Sequence, residues 1–316
     1  MRILFFGDGA WAAKSLKRLS GPLWEIASVV VRCKPSDDTL VQAARARSLP
    51  VLRPENANAP EFLETVRSLR PDLNVSVSYD QIVRRPLLES APMGFVNFHA
   101  GKLPFYRGRN VLNWALMNGE AELGLTAHFM DEGIDTGDIV LQRTLPIGWT
   151  DGYGDVLSRA VEAFPNLVEE TLRSLAEGRV TRRPQVHLPG TYFAGRGPGD
   201  EWLDWSDTSR NLHNKIRAIT RPGPGARTRL GEKSVLIWRA VWDPSWPMYL
   251  ATPGQVVGRD RNEGVFVKTG DCTLLVMEVE ETAGVVGRPR WPIGTRLGCQ
   301  VTPALEALRA ELETLK

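Results

Sequence analysis

The sequence predicts an α/β protein: a doubly wound, mostly parallel β-sheet followed by a smaller C-terminal β-barrel domain. Three observations lead to this prediction. Apolar, strand-like runs alternate with helix-like segments through the first half of the chain. A stretch rich in Gly, Pro and Arg then interrupts this alternation at residues 178–200. Beyond it, short β-like runs follow one another at close spacing, as they do in small barrels.

The first half of the chain opens with an apolar run at residues 2–6, which predicts a buried strand. Gly7 and Gly9 then permit a tight turn into a helix that ends near Leu19. Repeated strand–helix–strand segments form parallel β-α-β units, so the segments that follow are assigned to one sheet and its covering helices. Strands are predicted at 25–31, 51–52, 73–78 and 95–99, and helices at 38–48, 60–69 and 110–118.

Two more strands and a long helix complete the predicted sheet region. Pro165 lies inside that helix and is expected to kink or split it, because proline lacks the backbone N–H and its ring clashes with the preceding turn. The strands are predicted at 125–130 and 139–144, and the helix at 154–177. After the linker come a helix at 206–219, strands at 235–240, 255–258, 264–268 and 272–278, and a terminal helix at 303–316. The predicted domains are therefore 1–200, which includes the linker 178–200, and 201–316.

The composition is typical of a cytoplasmic globular protein. The 39 Lys and Arg residues nearly balance the 37 Asp and Glu residues, whereas proteins that bind nucleic acid usually carry a strong basic excess. Cys33, Cys272 and Cys299 lack the spacing of a disulfide framework or a zinc site. No apolar run approaches the ~18 residues of a membrane span, and the apolar N-terminus is too short for a secretion signal. We therefore expect a cytoplasmic location, no membrane partner and no metal.

Two motifs that could bind a ligand are incomplete. Gly7 and Gly9 follow the first strand as in a dinucleotide-binding turn, but Ala12 occupies the place of the third glycine. A tight turn is sufficient to explain both glycines. The acidic run at 131–138 lacks the residue spacing of a calcium-binding loop.

Polar side chains are concentrated where the predicted strand 95–99 ends. Asn97 and His99 point to the same face of that strand, because side chains alternate along a β-strand. Ligands of open α/β sheets bind beyond the carboxyl ends of the strands. An amide can polarise a carbonyl group and an imidazole can move a proton, so with a carboxylate from 131–138 the set could perform acyl transfer. A histidine at a strand end is also common as a purely structural residue.

Two segments resemble a known family. They are NFHAGKLPFYRGRNVLNWALMNGE at 97–120 and LGLTAHFMDEGIDTGDIVLQ at 123–142. Their motifs, N-x-H followed by L-P, then RG, NGE and G-I-D-T-G-D-I, are similar to those of the formyltransferases that use N10-formyltetrahydrofolate. WLDW at 202–205 and the segment after it resemble the start of the family's C-terminal domain. The resemblance covers most of residues 1–280 and implies a Rossmann-like catalytic domain with a C-terminal OB-like barrel.

The resemblance also implies roles for individual residues. It places the catalytic trio at Asn97, His99 and Asp135, with Asn97 stabilising the developing oxyanion, His99 moving the proton and Asp135 holding His99. The implied folate-binding positions are Ser78, Tyr79, Gln81, Ile82, Asp131, Gly133 and Asp138. The residues assigned to the acceptor substrate are Gly9, Trp11, Lys102, Tyr106, Arg107, Arg109 and Asn110.

One loop departs from the family pattern. Where the family usually has H-x-S-L-L-P, this chain has His99-Ala100-Gly101-Lys102-Leu103-Pro104. Gly101 therefore removes a hydroxyl group, and Lys102 places a cation either beside the acceptor or in solvent.

Three formyl acceptors are compatible with the resemblance. A nucleotide-linked amino sugar is the first choice, because YRGRNVLNW at 106–114 resembles that branch of the family. Hydroxyornithine, a siderophore precursor, comes second, and initiator methionyl-tRNA third, because the balanced charge does not favour a nucleic-acid partner. A non-catalytic regulator that binds folate or a nucleotide is the alternative outside enzymes. The C-terminal barrel and helix could also form a homodimer contact.

Overall fold

The computed structural model of the 316-residue chain describes residues 1–34, 37–298 and 312–313. The helix predicted at 303–316 lies, except for residues 312–313, outside the described residues. The described chain forms two compact units. Of the described residues, the first unit comprises those within 1–115, 120–149 and 155–195, and the second comprises 116–119, 150–154 and those from Arg196 onward.

The first unit is built on a seven-stranded sheet with the order β3-β2-β1-β4-β5-β7-β8. The strands from β3 to β5 in this order are parallel, while β7 and β8 join antiparallel. In chain order the strands are β1 (Arg2–Gly7), β2 (Glu25–Val31), β3 (Val51–Leu52), β4 (Leu73–Val77), β5 (Phe95–His99), β6 (Arg107–Gly108), β7 (Glu122–Phe129) and β8 (Ile139–Pro146). The predicted doubly wound, mostly parallel sheet is confirmed. β6 lies outside it and pairs with β9 (Tyr192–Phe193).

Strand β1 shows why the sequence has continuous apolar runs instead of alternation. Residues 3–6 of β1 are all buried, because helices cover both faces of a parallel sheet. Phe6 contacts the rings of Phe62, Tyr79 and Phe95 at centroid distances of 6.3, 5.3 and 4.9 Å. Each buried aromatic side chain of this cluster stabilises the fold by roughly 1.5–3 kcal/mol.

Six helices connect these strands. The longest runs from Tyr153 to Ala176 without interruption, so the expectation that Pro165 splits it is wrong. Because Pro165 has no backbone N–H, the helix lacks one backbone hydrogen bond. It nevertheless buries Ala160, Phe164 and Leu167 on the side that carries Pro165, and this packing holds the helix together. The helices are α1 (Gly9–Arg18), α2 (Thr39–Arg45), α3 (Pro60–Leu69), α4 (Arg85–Leu88), α5 (Val111–Met117) and α6 (Tyr153–Ala176).

The second unit opens with α7 (Ser209–Ile219), which begins three residues later than predicted. The hydroxyl of Ser206 donates to the carboxylate of Asp204 at 2.6 Å and is therefore occupied in a turn. Thr208 caps the helix instead, because its side chain accepts the backbone N–H of Asn211 at 3.2 Å.

The rest of the second unit is a six-stranded antiparallel sheet, in the order β10-β11-β14-β13-β12 with β15 paired to β14. Leu230, at the end of one edge strand, bridges to Leu297, and Gln255, just before the other edge strand, bridges to Arg296. Residues 296–297 thus link the two edges, and the predicted small β-domain is confirmed. The strands are β10 (Ala226–Leu230), β11 (Lys233–Val241), β12 (Val256–Asp260), β13 (Gly264–Lys268), β14 (Thr273–Thr282) and β15 (Val285–Gly287).

Within the described ranges, no helix is both long enough and apolar enough to cross a lipid bilayer.

Candidate active site

The three residues of the implied trio lie together at one end of β5. Asn97 and His99 are on the same face of this strand, and Asp135 reaches them from the loop between β7 and β8. The Asn97 amide nitrogen lies 3.5 Å from Oδ1 of Asp135, and Nδ1 of His99 lies 3.6 Å from Oδ2. One carboxylate therefore faces both an amide and an imidazole.

Both ring nitrogens of His99 face oxygen atoms. Nδ1 faces the Asp135 carboxylate, and Nε2 lies 2.6 Å from the backbone carbonyl oxygen of Tyr106. The Nε2 contact is within hydrogen-bonding distance, whereas the 3.6 Å between Nδ1 and the carboxylate is an electrostatic contact only. The His99 ring is only 9% exposed.

Asp135 is held as a carboxylate. Its backbone has a φ of 53°, a left-handed conformation that turns the side chain toward β5. Burial raises the pKa of Asp135, but the nearby His99 and His128 rings and a 2.9 Å hydrogen bond from the Gly108 backbone N–H lower it by more, so the net pKa lies well below the ordinary value. The lowered pKa favours the ionised carboxylate of Asp135 beside His99.

His128 is a fourth member of this cluster that sequence reasoning missed. It is the register partner of Asn97 across the β5–β7 pair and is only 2% exposed. Its Nε2 lies 3.2 Å from the Asn97 amide nitrogen and 3.4 Å from Oδ1 of Asp135. The alternation of side chains along β7 could have indicated it, because Thr126 pairs with His99 and the residue two positions on shares its face.

Arg107, assigned to the acceptor substrate from the sequence, instead lies beneath the site. Its side chain is 0% exposed and donates to the backbone carbonyl of Asp135 at 3.1 Å. Its other donors reach the Gln185 side-chain oxygen at 2.8 Å and the Thr191 hydroxyl at 3.2 Å. This burial leaves Arg107 no surface for a ligand, and it acts as an internal support.

Gln185 and Thr191 were also missed, because they lie in the segment interpreted as a linker. The Gln185 amide donates to the backbone carbonyls of Asp135 at 3.0 Å and Gly137 at 2.7 Å. The pairing of β9 with β6 fixes this segment beside the site. No local sequence signal marks these two residues, since their partners lie about 50 to 84 positions away along the chain.

The structure of the loop after β5 explains why this chain has glycine at position 101, where the family pattern has serine. A Cβ atom at this position would overlap the carbonyl oxygen of Tyr106 and lie 2.5 Å from Nε2 of His99. The Thr126 hydroxyl holds the loop from below by donating to the Gly101 carbonyl at 2.7 Å. Here, any side chain larger than hydrogen would displace the histidine or the carbonyl that contacts it.

The other residues assigned to the acceptor differ in accessibility. Lys102 forms an ion pair with Glu122. Tyr106 is buried, donates to Glu120 at 2.6 Å and stacks on Phe193. Arg109 and Asn110 are exposed, and the Arg109 guanidinium reaches the Asp80 carbonyl at 3.4 Å.

Gly9 and Trp11, the remaining acceptor assignments, lie in α1. Gly9 is the first residue of the helix, with a φ of 63°. The Trp11 ring makes an edge contact with Phe164 at 4.7 Å between centroids, so one side of this ring already packs on α6.

The implied folate positions that follow β4 form an exposed turn. Ser78 has a φ of 62°, and its carbonyl accepts a 2.7 Å hydrogen bond from Arg32. The Gln81 side chain hydrogen-bonds to the backbone of residues 54–57. Only the backbone of Gln81 is therefore left to contact a ligand. Tyr79 packs on Phe6, and burial raises the pKa of its hydroxyl group. The Ile82 side chain is 68% exposed.

The remaining folate positions lie in the loop that carries Asp135. Asp131 accepts the backbone N–H of Gly133 at 3.0 Å and also the Thr136 hydroxyl, which rigidifies the loop. The backbone carbonyl of Asp138 accepts the N–H of Phe129 at 2.9 Å. Ile134, at the tip, is 52% exposed.

No group of three or more His, Cys, Asp or Glu side chains with a geometry suited to a metal ion occurs among the residues that the structure describes.

Comparisons with known proteins agree with this architecture. Residues 1–172 match the family described as formyl transferase, and residues 197–286 match the formyl transferase C-terminal domain. A methionyl-tRNA formyltransferase of Symbiobacterium thermophilum is 37% identical over 290 residues, which cover 89% of this chain and 88% of that protein.

Two solved structures share the fold. The sugar 3N-formyl transferase WlaRD aligns with a TM-score of 0.66 and 19% identity, over 88% of this chain and 97% of that one. An N-formyltransferase from Helicobacter canadensis aligns with a TM-score of 0.65 and 20% identity, over 87% of this chain and 98% of that one. With both domain matches in chain order and a relative of 37% identity along most of its length, this chain belongs to the formyltransferase family.

Proposed function

We propose that the protein transfers the formyl group of N10-formyltetrahydrofolate to a primary amine, with Asn97, His99 and Asp135 as its catalytic residues. The observation that carries the proposal is the Asp135 carboxylate, which lies within 3.6 Å of both the Asn97 amide and the His99 ring at the end of a central strand. An amide donor, a proton carrier and a fixed negative charge are the groups that acyl transfer to an amine requires.

The two loops assigned to the folate suit a flat, partly apolar ring with amide-like edges. Ile82 and Ile134 each project an exposed apolar side chain, one from each loop. The contacts to Arg32 and Asp131 use the Ser78 carbonyl and the Gly133 N–H, so the Ser78 N–H and the Gly133 carbonyl are the groups that can serve the ring edges. The bound co-substrate supplies a formyl carbonyl on N10, and N10 becomes an amine after transfer.

Asn97 provides the electrostatic part of the reaction. As the amine lone pair attacks the formyl carbon, negative charge develops on the formyl oxygen. An N–H of Asn97 donates to that oxygen and stabilises the charge, a contribution that typically changes the rate by about 10²–10³-fold.

His99 carries the proton. As a neutral ring it accepts the proton that the attacking amine must lose, and as an imidazolium it returns that proton to N10 while the bond between the formyl carbon and N10 breaks. One proton leaves the acceptor nitrogen and one arrives on tetrahydrofolate, so the transfer is balanced. Asp135, whose Oδ2 lies 3.6 Å from Nδ1, stabilises the positive charge that the ring carries while it holds the proton.

For the acceptor, we propose a nucleotide-linked amino sugar. The loops after β1, β2, β4, β5 and β7 contain six Lys or Arg and eight Asp or Glu residues, and this excess of acidic residues does not favour a polyanion. A diphosphate needs only one or two cations, and the exposed Arg109 is suitably placed beside Gly108, whose N–H binds Asp135.

Methionyl-tRNA is the second candidate, because the relative from Symbiobacterium thermophilum is named a methionyl-tRNA formyltransferase and is 37% identical. The charge balance of the loops argues against it.

A formyl-transfer assay tests both the proposed reaction and the proposed acceptor. The purified protein and N10-formyltetrahydrofolate are incubated with nucleotide-linked amino sugars, hydroxyornithine or initiator methionyl-tRNA, and release of tetrahydrofolate is followed. We expect release with an amino-sugar nucleotide. Release only with methionyl-tRNA or only with hydroxyornithine would replace the proposed acceptor. Folate binding without transfer to any amine would refute the catalytic assignment and favour a regulator.

A further inference from the structure

We propose that His128 is a positioning residue that fixes the orientation of the Asn97 side-chain amide and so makes it an effective oxyanion donor. The proposal rests on the function proposed above, and it concerns a residue outside the implied trio. His128 is buried beneath Asn97 and cannot contact a substrate itself, because only 2% of it is exposed.

The tautomer of His128 follows from its backbone contact. Its Nδ1 lies 2.8 Å from the carbonyl oxygen of Phe129, an atom that can only accept a hydrogen bond. Nδ1 therefore carries the proton. Nε2 also lies 3.4 Å from Oδ1 of Asp135, and in the neutral ring it presents a lone pair, so these two acceptors need a donor between them. This lone pair points toward Asn97, the register partner of His128 on β5.

The Asn97 amide then has a single favourable orientation. Its nitrogen lies 3.2 Å from Nε2 of His128 and 3.5 Å from Oδ1 of Asp135. Both partners are acceptors, so the NH₂ group belongs on this side. A flipped amide would place its oxygen against a lone pair and a carboxylate.

His128 is the closer of these two acceptors. At 3.5 Å, the contact with Asp135 is at the limit of hydrogen bonding, whereas 3.2 Å to His128 is an ordinary distance. One N–H of Asn97 is held by this contact, and the second N–H is left for the formyl oxygen. Removal of the Nε2 acceptor should therefore reduce turnover through Asn97 without changing substrate binding.

Two substitutions separate this role from simple packing. His128→Phe keeps a buried ring but removes the acceptor, and we expect kcat to fall about 10–100-fold while the KM for N10-formyltetrahydrofolate stays within about 3-fold. His128→Gln places an amide oxygen near the position of Nε2, and we expect kcat within about 5-fold of wild type. Should His128→Phe not fold, as judged by thermal melting, His128→Leu serves with the same criterion.

A matched control and a double-mutant cycle complete the test. His213 is another buried histidine that contacts a backbone carbonyl, that of Ala240 at 3.2 Å, but it lies in the second unit. His213→Phe should lower the melting temperature without lowering kcat. In an Asn97→Ala background, His128→Phe should cause no further loss, because both substitutions remove the same interaction.

The outcomes distinguish this inference from the function on which it rests. A wild-type protein that transfers no formyl group refutes the proposed function. With wild-type turnover established, three results refute the positioning role: kcat unchanged in His128→Phe, His128→Gln as slow as His128→Phe, or fully additive losses with Asn97→Ala.

Discussion

Arg107 donates its Nε–H to the backbone carbonyl of Asp135 at 3.1 Å, so a fully buried cation fixes the peptide whose carboxylate faces His99. The planar guanidinium also reaches Gln185 and Thr191, two residues of the segment after α6. The geometry of the proposed active site thus depends on a segment that lies outside the proposed catalytic trio.

Replacing Arg107 by lysine should lower both stability and turnover. The ammonium group keeps the charge but cannot reproduce a fork that serves three separate acceptors. Leaving buried acceptors unpaired costs on the order of 1–3 kcal/mol in the free energy of unfolding, and we expect kcat to fall about 10-fold or more. Denaturant unfolding and steady-state kinetics check this, with Arg67→Lys, an exposed change in α3, as the control. Wild-type kcat in Arg107→Lys would contradict the assigned support.

Gly101→Ala should impair catalysis more than folding. The added methyl group would collide with the Tyr106 carbonyl and with His99, so the imidazole must shift away from Asp135. We expect kcat to fall about 10²-fold, because a displacement of about 1 Å is sufficient for such a loss. Gly197→Ala is the matched control, since a Cβ at Gly197 meets no atom within 4 Å. Equal activities of the two variants would argue against the collision.

The contribution of Asp135 to stability should depend on pH with a defined sign. Its pKa in the folded state lies below the ordinary value, so the unfolded chain binds more protons in the acid range and stability rises with pH there. Wild type should exceed Asp135→Asn by about 1–3 kcal/mol in the free energy of unfolding above about pH 5. This difference should shrink as the pH falls toward the folded-state pKa. Urea titrations from acid to neutral pH measure it, and a difference independent of pH would contradict the assignment.

Arg109→Met should weaken binding of a nucleotide-linked acceptor. The Arg109 side chain is exposed, and its one described side-chain contact is a 3.4 Å hydrogen bond to the carbonyl of Asp80. Loss of one charge-assisted contact to a diphosphate should raise the KM for that acceptor about 10-fold and leave the KM for the folate unchanged. The control Arg67→Met removes a different exposed charge. An equal rise in the acceptor KM in both variants would mean that the loss of a surface charge alone explains the effect.

The sequence was sufficient to predict what depends on local pattern. Buried parallel strands appear as unbroken apolar runs, and the motif around Asn97 and His99 lies at a strand end, so the sheet and part of the site were predictable. Pro165 does not split its helix, because packing on a long buried face outweighs one lost hydrogen bond.

The residues that hold the candidate site in place could not be predicted from local sequence pattern. His128 could have been inferred once β5 and β7 were paired in register, but that register is a tertiary fact. Gln185 and Thr191 lie among Gly, Pro and Arg residues that are typical of a linker, and only the pairing of β9 with β6 brings them to Arg107. The burial of Arg107 was missed for the same reason, since an arginine next to a catalytic motif ordinarily suggests a ligand contact.

The pairing of β6 with β9 also determines where the catalytic portion of the chain can be cut. The match to the formyl transferase family ends at residue 172, and a fragment trimmed there would lack Gln185, Thr191 and β9. It would retain Arg107 as an interior cation with two of its three acceptors deleted. A fragment that keeps all three acceptors of Arg107 must therefore extend to Gly195, where the first unit ends. We expect cleavage near the exposed Leu188, between Gln185 and Thr191, to lower turnover although the proposed trio stays intact.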